Sequence, residues 1–534
     1  MTQDPRSVAG KRLTLDGHAQ LLVIGAGPAG RAAALEAAAQ GLSVVLVDEN
    51  PVAADTMAAD VPLHFGSRIG AAARNRAAMT EAMLRALPEL EQVIDAGVDL
   101  RIGTACWGLY LNGTNMGWMP GPVAGLATAG EGTALLGFDQ AIVATGRRDM
   151  GLAFPGWDAP GVMGAAAAQR LAGLYDALDG RRAVVMGSTA EALLAAIELQ
   201  GRGIAVAAVI EQAAAPVGPP DLLAALHAAG IPLICDEVVT GVETGPTGVT
   251  AARTRTGVIP CDLVIQGIGA VPMVDLLAAA GCRIAFSAAR GGFVPVLGAG
   301  AATSHPAIRA AGDCAGIWPG KSRDAAVAAA EGRAAALAAA TGAETGAGAG
   351  AQTGASALPD PDAPAYDIDA YRKGWVRRSV VDAALPAVVC QCEEVTAREI
   401  LELRPPRYLG WQAADNRPRT LDALLGAGPP DPDQVKRLTR AGMGACQGRR
   451  CREQVQALLA LQAAVPLPAV PLAGYRAPVR PLTLAEACPR DEDPAFAQHW
   501  DSWFGMPRQW VPFWDVEPDY TVAGLAQEKP HVTE

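Results

Sequence analysis

Six residues near the start, Gly25-Ala26-Gly27-Pro28-Ala29-Gly30, constrain this chain more than any others. They follow the apolar run Gln20-Leu21-Leu22-Val23-Ile24 and precede an alanine-rich segment and a second apolar run, Ser43-Val44-Val45-Leu46-Val47. Strand, glycine turn, helix and strand in that order form a βαβ unit. In that context G-x-G-x-x-G is a dinucleotide-binding turn. Gly25 makes the tight turn, Gly27 lets the backbone approach a pyrophosphate, and Gly30 lets helix and strand pack closely. The helix N-terminus, opened by Pro28 and Ala29, favours the phosphate charge. The second strand ends in Asp48-Glu49, an acidic pair placed to accept ribose hydroxyls.

A second unit of the same length begins at Arg182-Ala183-Val184-Val185-Met186-Gly187 and ends at Val209-Ile210-Glu211. Its turn, Gly187-Ser188-Thr189-Ala190-Glu191-Ala192, has Thr189 and Ala192 where the fingerprint has glycines. Thr189 puts a side chain where a pyrophosphate would approach, so NAD(P) or another nucleotide at this second domain is left open. Glu211 is either a ribose ligand or a solvated strand end. Between the units, the apolar strand of residues 138–143 runs into Ala144-Thr145-Gly146-Arg147. After them, Ile308-Arg309-Ala310-Ala311 runs into Gly312-Asp313 and then an alanine-rich helix of about residues 324–340. The expected organisation is a first dinucleotide domain of residues 18–150 and 285–340 with a second, 151–284, inserted. Residues 341–385 are expected as a linker, on the Gly, Ala, Thr and Pro composition of 341–365. A cysteine-bearing domain follows at 386–460, and a Pro- and Trp-rich tail at 461–534 carries Trp500, Trp503, Trp510 and Trp514.

A net charge of −12 argues against nucleic acid as the main partner. No run reaches the ~18 apolar residues of a membrane span, so the expectation is a cytoplasmic protein, with peripheral attachment at the inner membrane left open. Of ten cysteines, six are scattered, at 106, 235, 261, 282, 314 and 488. The other four, Cys390-Gln391-Cys392 and Cys446-Gln447-Gly448-Arg449-Arg450-Cys451, form two tight pairs, the pattern of a metal site among reduced thiols. Four thiolates suit zinc or a [2Fe-2S] cluster. C-x-C beside C-x-x-x-x-C leans toward iron, because structural zinc pairs usually leave two to four residues between ligands.

The three segments Gly25 to Gly30, Ala144-Thr145-Gly146-Arg147 and Ala311-Gly312-Asp313 resemble the FAD signatures of the two-dinucleotide-domain flavoproteins. The resemblance implies FAD in the first domain, with Asp313 on the ribityl chain. No C-x-x-C or C-x-x-x-x-C occurs before Cys446, which argues against a disulfide reductase. The cysteine segment, with Leu438-Thr439-Arg440-Ala441-Gly442-Met443-Gly444 ahead of Cys446, is similar to bacterioferritin-associated-ferredoxin-like [2Fe-2S] domains. That similarity implies a cluster on Cys390, Cys392, Cys446 and Cys451.

Taken whole, residues 18–485 resemble the alpha subunits of heteromeric FAD/[2Fe-2S] amine dehydrogenases of the hydrogen cyanide synthase, opine oxidase and proline or hydroxyproline dehydrogenase type. The fold implied is α/β: two Rossmann-like domains, the second inserted into the first, and a small helical [2Fe-2S] domain. The resemblance also implies two partners, an amine-oxidising flavoprotein beta subunit plus a small ferredoxin-like subunit. With them comes an oxidoreductase role acting on CH-NH or CH-NH2 donors by electron relay. One departure is the stretch after Glu49, where the family often carries Gly-Gly-Gln and this chain has Asn50-Pro51-Val52-Ala53, continuing to His64. His64 is a candidate to approach the flavin; the other five histidines show no ligand spacing. Two further readings remain open: a stand-alone NAD(P)H-dependent reductase, and a non-catalytic assembly or iron-delivery module.

Overall fold

A computed structural model describes residues 14–53, 57, 75–112, 119–342, 361, 366–383, 385–404 and 420–488. His64, most of 341–365 and the four tryptophans of the tail lie outside the described residues.

The first turn joins β1 (Gly17–Ile24) to α1 (Pro28–Ala39), which leads to β2 (Val44–Asp48). β1 lies between β2 and β3 (Gly132–Val143), parallel to both, in a seven-stranded sheet. Alternate residues of a strand face opposite sides, and here both sides are covered. Leu21 and Val23 pack on α1, while Leu22 and Ile24 pack with Leu126 and Phe138 on the other face. That double burial explains why β1 reads as a continuous apolar run rather than an alternating one.

The second unit comprises β4 (Arg182–Met186), α2 (Ala190–Gly201) and β5 (Ala205–Ile210). Its five strands are all parallel, with Leu263–Gln266 and Val162–Gly164 beyond β4 and Leu233–Ile234 beyond β5. The chain then returns to the first sheet. β6 (Ile308–Ala310) pairs with β3, and α3 (Ala325–Ala340), N-capped by the Asp324 side chain, packs along α1.

The expected linker is too long at its C-terminal end. Residues 366–381 are folded: Asp367 N-caps α4 (Ile368–Val376), which runs into a π-helical turn, Arg377–Val381. Ile368, Tyr371, Trp375 and Val376 are buried, the face spacing of an amphipathic helix. Helices at Leu421–Ala427 and Pro432–Thr439 occupy part of the interval between the cysteine pairs, and α5 (Arg452–Gln462) follows the last cysteine. Trp375 and Val376, Leu458 and Leu459, and Val184, Met186 and Ile210 of the second sheet share one hydrophobic core.

The first part of the expected tail packs back as well. Val479 enters the first domain's core and donates its N–H to the Trp107 carbonyl (2.9 Å), and the Tyr475 ring lies under the Arg452 guanidinium at 3.7 Å. Among the described residues no helix is long and apolar enough to cross a membrane.

Candidate functional site

The ends of β1, β2 and β3 open onto a cavity of about 710 Å³. Gly25, Ala26, Gly27 and Pro28 form its floor, with Glu49 beyond β2 and Ala144, Thr145, Gly146 and Asp313 also in the wall. Gly25 has φ +105°, and a Cβ there would lie 2.3 Å from the Ala144 carbonyl oxygen. A Cβ on Gly30 would lie 1.7 Å from the Gly25 carbonyl oxygen. At Gly27 a Cβ would meet nothing within 4 Å. The three glycines thus do different things: Gly25 turns, Gly30 packs, and Gly27 leaves the cavity floor bare backbone. Ala29 faces away from the cavity and packs in the core beneath the turn.

The acidic pair at the end of β2 divides its work, although both residues line the cavity. Asp48 is buried and accepts the Ala26 N–H at 2.5 Å and the Asn50 N–H at 2.7 Å, so it fixes the turn itself. Glu49 faces the cavity and pairs with Arg480 at 3.1 Å. Asp313 pairs with Arg147 at 3.4 Å, and Arg147 also reaches Glu191 at 3.6 Å. Burial works against the Arg147 charge, but Asp313, Glu191 and Asp149 together outweigh it and raise its pKa.

Beneath Asp313 lies a buried ion pair that carries no motif of its own. Lys321 and Glu331 are both buried and paired at 2.8 Å. Lys321 donates to the Gly312 carbonyl (3.0 Å), Glu331 accepts the Gly312 N–H (2.8 Å), and the Trp318 ring covers the ammonium at 4.0 Å. The turn carrying Asp313 is clamped through both the N–H and the carbonyl of Gly312.

Another part of the wall comes from the second domain, through Ala166, Gln169 and Arg170. The Asp149 carboxylate accepts the Ala166 N–H (3.0 Å) and the Ala167 N–H (3.3 Å), capping the helix that carries them. Burial raises the Asp149 pKa to about 6, against the lowering effect of those two N–H groups. A raised carboxylate contributes stability that is present below its unfolded pKa, ~3.9, and is lost as pH rises through the folded value. Asp149→Asn keeps an acceptor and cannot ionise. Its stability relative to the parent is expected to climb by roughly 2–3 kcal/mol between pH 4 and 6 and to stay level above, read by urea denaturation across that range.

The cysteine quartet is drawn together from both ends of its segment. Cys390 interacts with Cys451 and Cys392 with Cys446, and each pair feels the charge of the other. The neighbouring Cys392 thiol lowers Cys446 to about 6, and the Cys451 thiol lowers Cys390. The Gly442 N–H donates to Cys390 Sγ at 3.3 Å, and a Cβ on Gly444 would lie 2.3 Å from the Cys392 Cβ. Among the described residues no three His, Cys, Asp or Glu side chains are grouped to hold a metal ion. Arg449, between Cys446 and Cys451, lines the 710 Å³ cavity, as do Val479 and Arg480. The bidentate Arg148–Glu453 pair, at 2.9 Å for Nη1 to Oε2, ties the start of α5 to the end of the first domain.

The scattered thiols do not form a dithiol at the cavity. Cys106 lines it, and burial pushes that thiol up to about 12. In the second domain Thr189 N-caps α2, accepting the Ala192 N–H at 3.3 Å. Glu211 is neither solvated nor open to a ligand: it is fully buried and accepts from Ser188 and Tyr371.

The sequence profile of the pyridine nucleotide-disulphide oxidoreductases matches residues 19–332. The chain belongs to that family. It is 29% identical to an opine oxidase subunit of Agrobacterium tumefaciens (strain Ach5), over 87% of this chain and 90% of that one. It is 27% identical to hydrogen cyanide synthase subunit HcnB of Pseudomonas aeruginosa, over 80% of this chain and 90% of that one. The fold matches the crystal structure of L-proline dehydrogenase from P. horikoshii with a TM-score of 0.56 and 19% identity, over 90% of this chain and 81% of that one. The chain is therefore an FAD-dependent oxidoreductase subunit of the heteromeric dehydrogenase alpha-subunit type, related to opine oxidase and hydrogen cyanide synthase. Both of those sequence relatives carry the name of a subunit.

Proposed function

We propose that this subunit relays electrons between FAD in the first domain's cavity and a [2Fe-2S] cluster on Cys390, Cys392, Cys446 and Cys451. The complex around it would dehydrogenate an amino or imino acid on a partner flavoprotein, in the cytoplasm. The observation that carries this reading is that one loop serves both sites: Arg449 lines the cavity and lies between two of the four cysteines.

The residues present suit both groups. For the flavin, the bare floor at Gly27 leaves room for a pyrophosphate, Glu49 stands where a ribose would be met, and Asp313 is held rigidly for the ribityl chain. For the cluster, the chain offers four cysteines, and the single residue between Cys390 and Cys392 is shorter than the two to four usual between structural zinc ligands. FAD would supply the exchange between two-electron and one-electron steps, and the cluster a one-electron site.

The chain's own contribution is placement. Lys321 and Glu331 fix the peptide before Asp313, Arg480 covers Glu49, and the Arg148–Glu453 pair holds α5 against the flavin domain. We assign residues 18–150 and 285–340 to the flavin domain, 151–284 to the second domain, and 366 onward to the cysteine-bearing unit.

Iron and acid-labile sulfide in the purified full chain test the reading, together with electron paramagnetic resonance after dithionite reduction. Two irons and two sulfides per chain are expected, with the signal abolished in Cys446→Ser while flavin content is kept. One zinc per chain, or iron content indifferent to Cys446→Ser, would overturn the cluster assignment.

A further inference from the structure

Two glycine turns of similar plan have opposite fates in this chain. Over the first lies the 710 Å³ cavity; at the start of α2, beside Ala190 and Glu191, only about 50 Å³ is left, room for a water or two. Ser188, Thr189 and Glu211, the groups a dinucleotide would meet at the second turn, are each 1% exposed or less.

What covers Ser188 and Glu211 is α4. The Tyr371 hydroxyl donates to Glu211 Oε2 at 2.9 Å, the same oxygen that accepts from the Ser188 N–H at 2.9 Å and from Ser188 Oγ at 2.6 Å. In dinucleotide-binding folds the acid ending the second strand takes a ribose hydroxyl, and a phenol hydroxyl offers the same donor. Burial, and then the Glu211 charge, push the Tyr371 pKa well above its ordinary value, so the phenol stays a donor. A Cβ on Gly374 would lie 2.9 Å from the Gln212 side-chain amide, so the helix is seated as close as its backbone allows. The Arg372 guanidinium donates to the Ala270 and Gly291 carbonyls at 2.8 and 2.9 Å, and Arg378 donates to the Gln212 carbonyl. Glu191, in the first turn of α2, puts a carboxylate where a phosphate would need positive potential.

We propose that α4 is an internal stand-in for a second dinucleotide, with the Tyr371 hydroxyl bonding Glu211 where a ribose hydroxyl would. The second domain is then the seat on which the cysteine-bearing unit is fixed, and it is closed to NADH and NADPH. This goes beyond the electron-relay reading and holds whether or not the cysteines bind iron. It also gives the degenerate turn a use: Thr189, which would obstruct a pyrophosphate, caps α2 instead.

Hydrogen exchange read by mass spectrometry tests it, on the purified full chain carrying its flavin, with and without millimolar NADH or NADPH. Neither nucleotide is expected to slow exchange in residues 182–212 of the parent. Tyr371→Phe keeps the ring packed against Tyr366 and Trp375 and removes one bond to a buried carboxylate, a change of about tenfold in local opening. Exchange is expected to quicken by about that factor in residues 187–192 and 366–381, while residues 24–31 stay as in the parent. Protection of 182–212 by NADH, with 366–381 released, would show nucleotide displacing the helix and overturn the proposal. Unchanged exchange at both sites in Tyr371→Phe would overturn it as well.

Discussion

Gly332→Ala is expected to empty the flavin cavity and to lower the melting temperature by roughly 2–12 °C. Gly332 lies where α3 crosses α1, and a Cβ there would stand 1.9 Å from the Ala29 carbonyl oxygen. That oxygen belongs to the backbone of the glycine turn, so relief requires moving the turn or the whole of α3. Overpacking costs ~1–3 kcal/mol, and each kcal/mol moves the midpoint of a domain this size by about 2–4 °C. Alanine is the better helix former by ~1 kcal/mol, which sharpens the test, because propensity alone predicts stabilisation. Gly201→Ala in α2, where a Cβ meets nothing within 4 Å, is the control and should leave stability level or raised. The measurement is thermal denaturation together with the ratio of flavin to protein absorbance. Unchanged flavin content in Gly332→Ala would mean that α1 and α3 tolerate separation.

Lys321→Met and Glu331→Gln are each expected to destabilise the flavin domain by about 3–5 kcal/mol, because each leaves its partner buried and unpaired. Burial lowers the Lys321 pKa and raises that of Glu331, so each charge persists through the other. The double variant Lys321→Met/Glu331→Leu should recover much of that loss, since an apolar pair of similar volume is often neutral in place of a buried ion pair. It should not recover flavin affinity, because the Gly312 N–H and carbonyl both lose their partners. Guanidinium denaturation gives the coupling, and flavin retained through gel filtration gives the second readout. Additive losses in the double variant would show that the two charges act independently.

The first domain is legible in the sequence because its signals are local. Turn, strand and helix of the βαβ unit follow within thirty residues, and the glycines meet atoms of the same unit or of the next strand. The division between Asp48 and Glu49 is not legible, since both end the strand and only the fold shows which turns inward. Lys321 and Glu331 are ten residues apart on two different helices, a spacing that matches no helical neighbour rule. Their signal is weaker: Lys321 stands beside Arg323 and Asp324, and only Glu331 is an acid in the alanine-rich run that follows. The linker boundary fails because composition changes at residue 365, well before the cysteines where the linker was expected to end. The apolar spacing of Ile368, Tyr371 and Trp375 marks a helix there. The closure of the second cleft has no local sign, since Glu211 and Tyr371 are 160 residues apart.

The cavity wall also has an order in time. Its floor is laid down by residue 50, yet Arg449, Val479 and Arg480 belong to the last fifth of the described chain, and Arg480 meets Glu49 across 431 positions. During synthesis from the N-terminus the cavity floor therefore precedes this part of its wall by about four hundred residues.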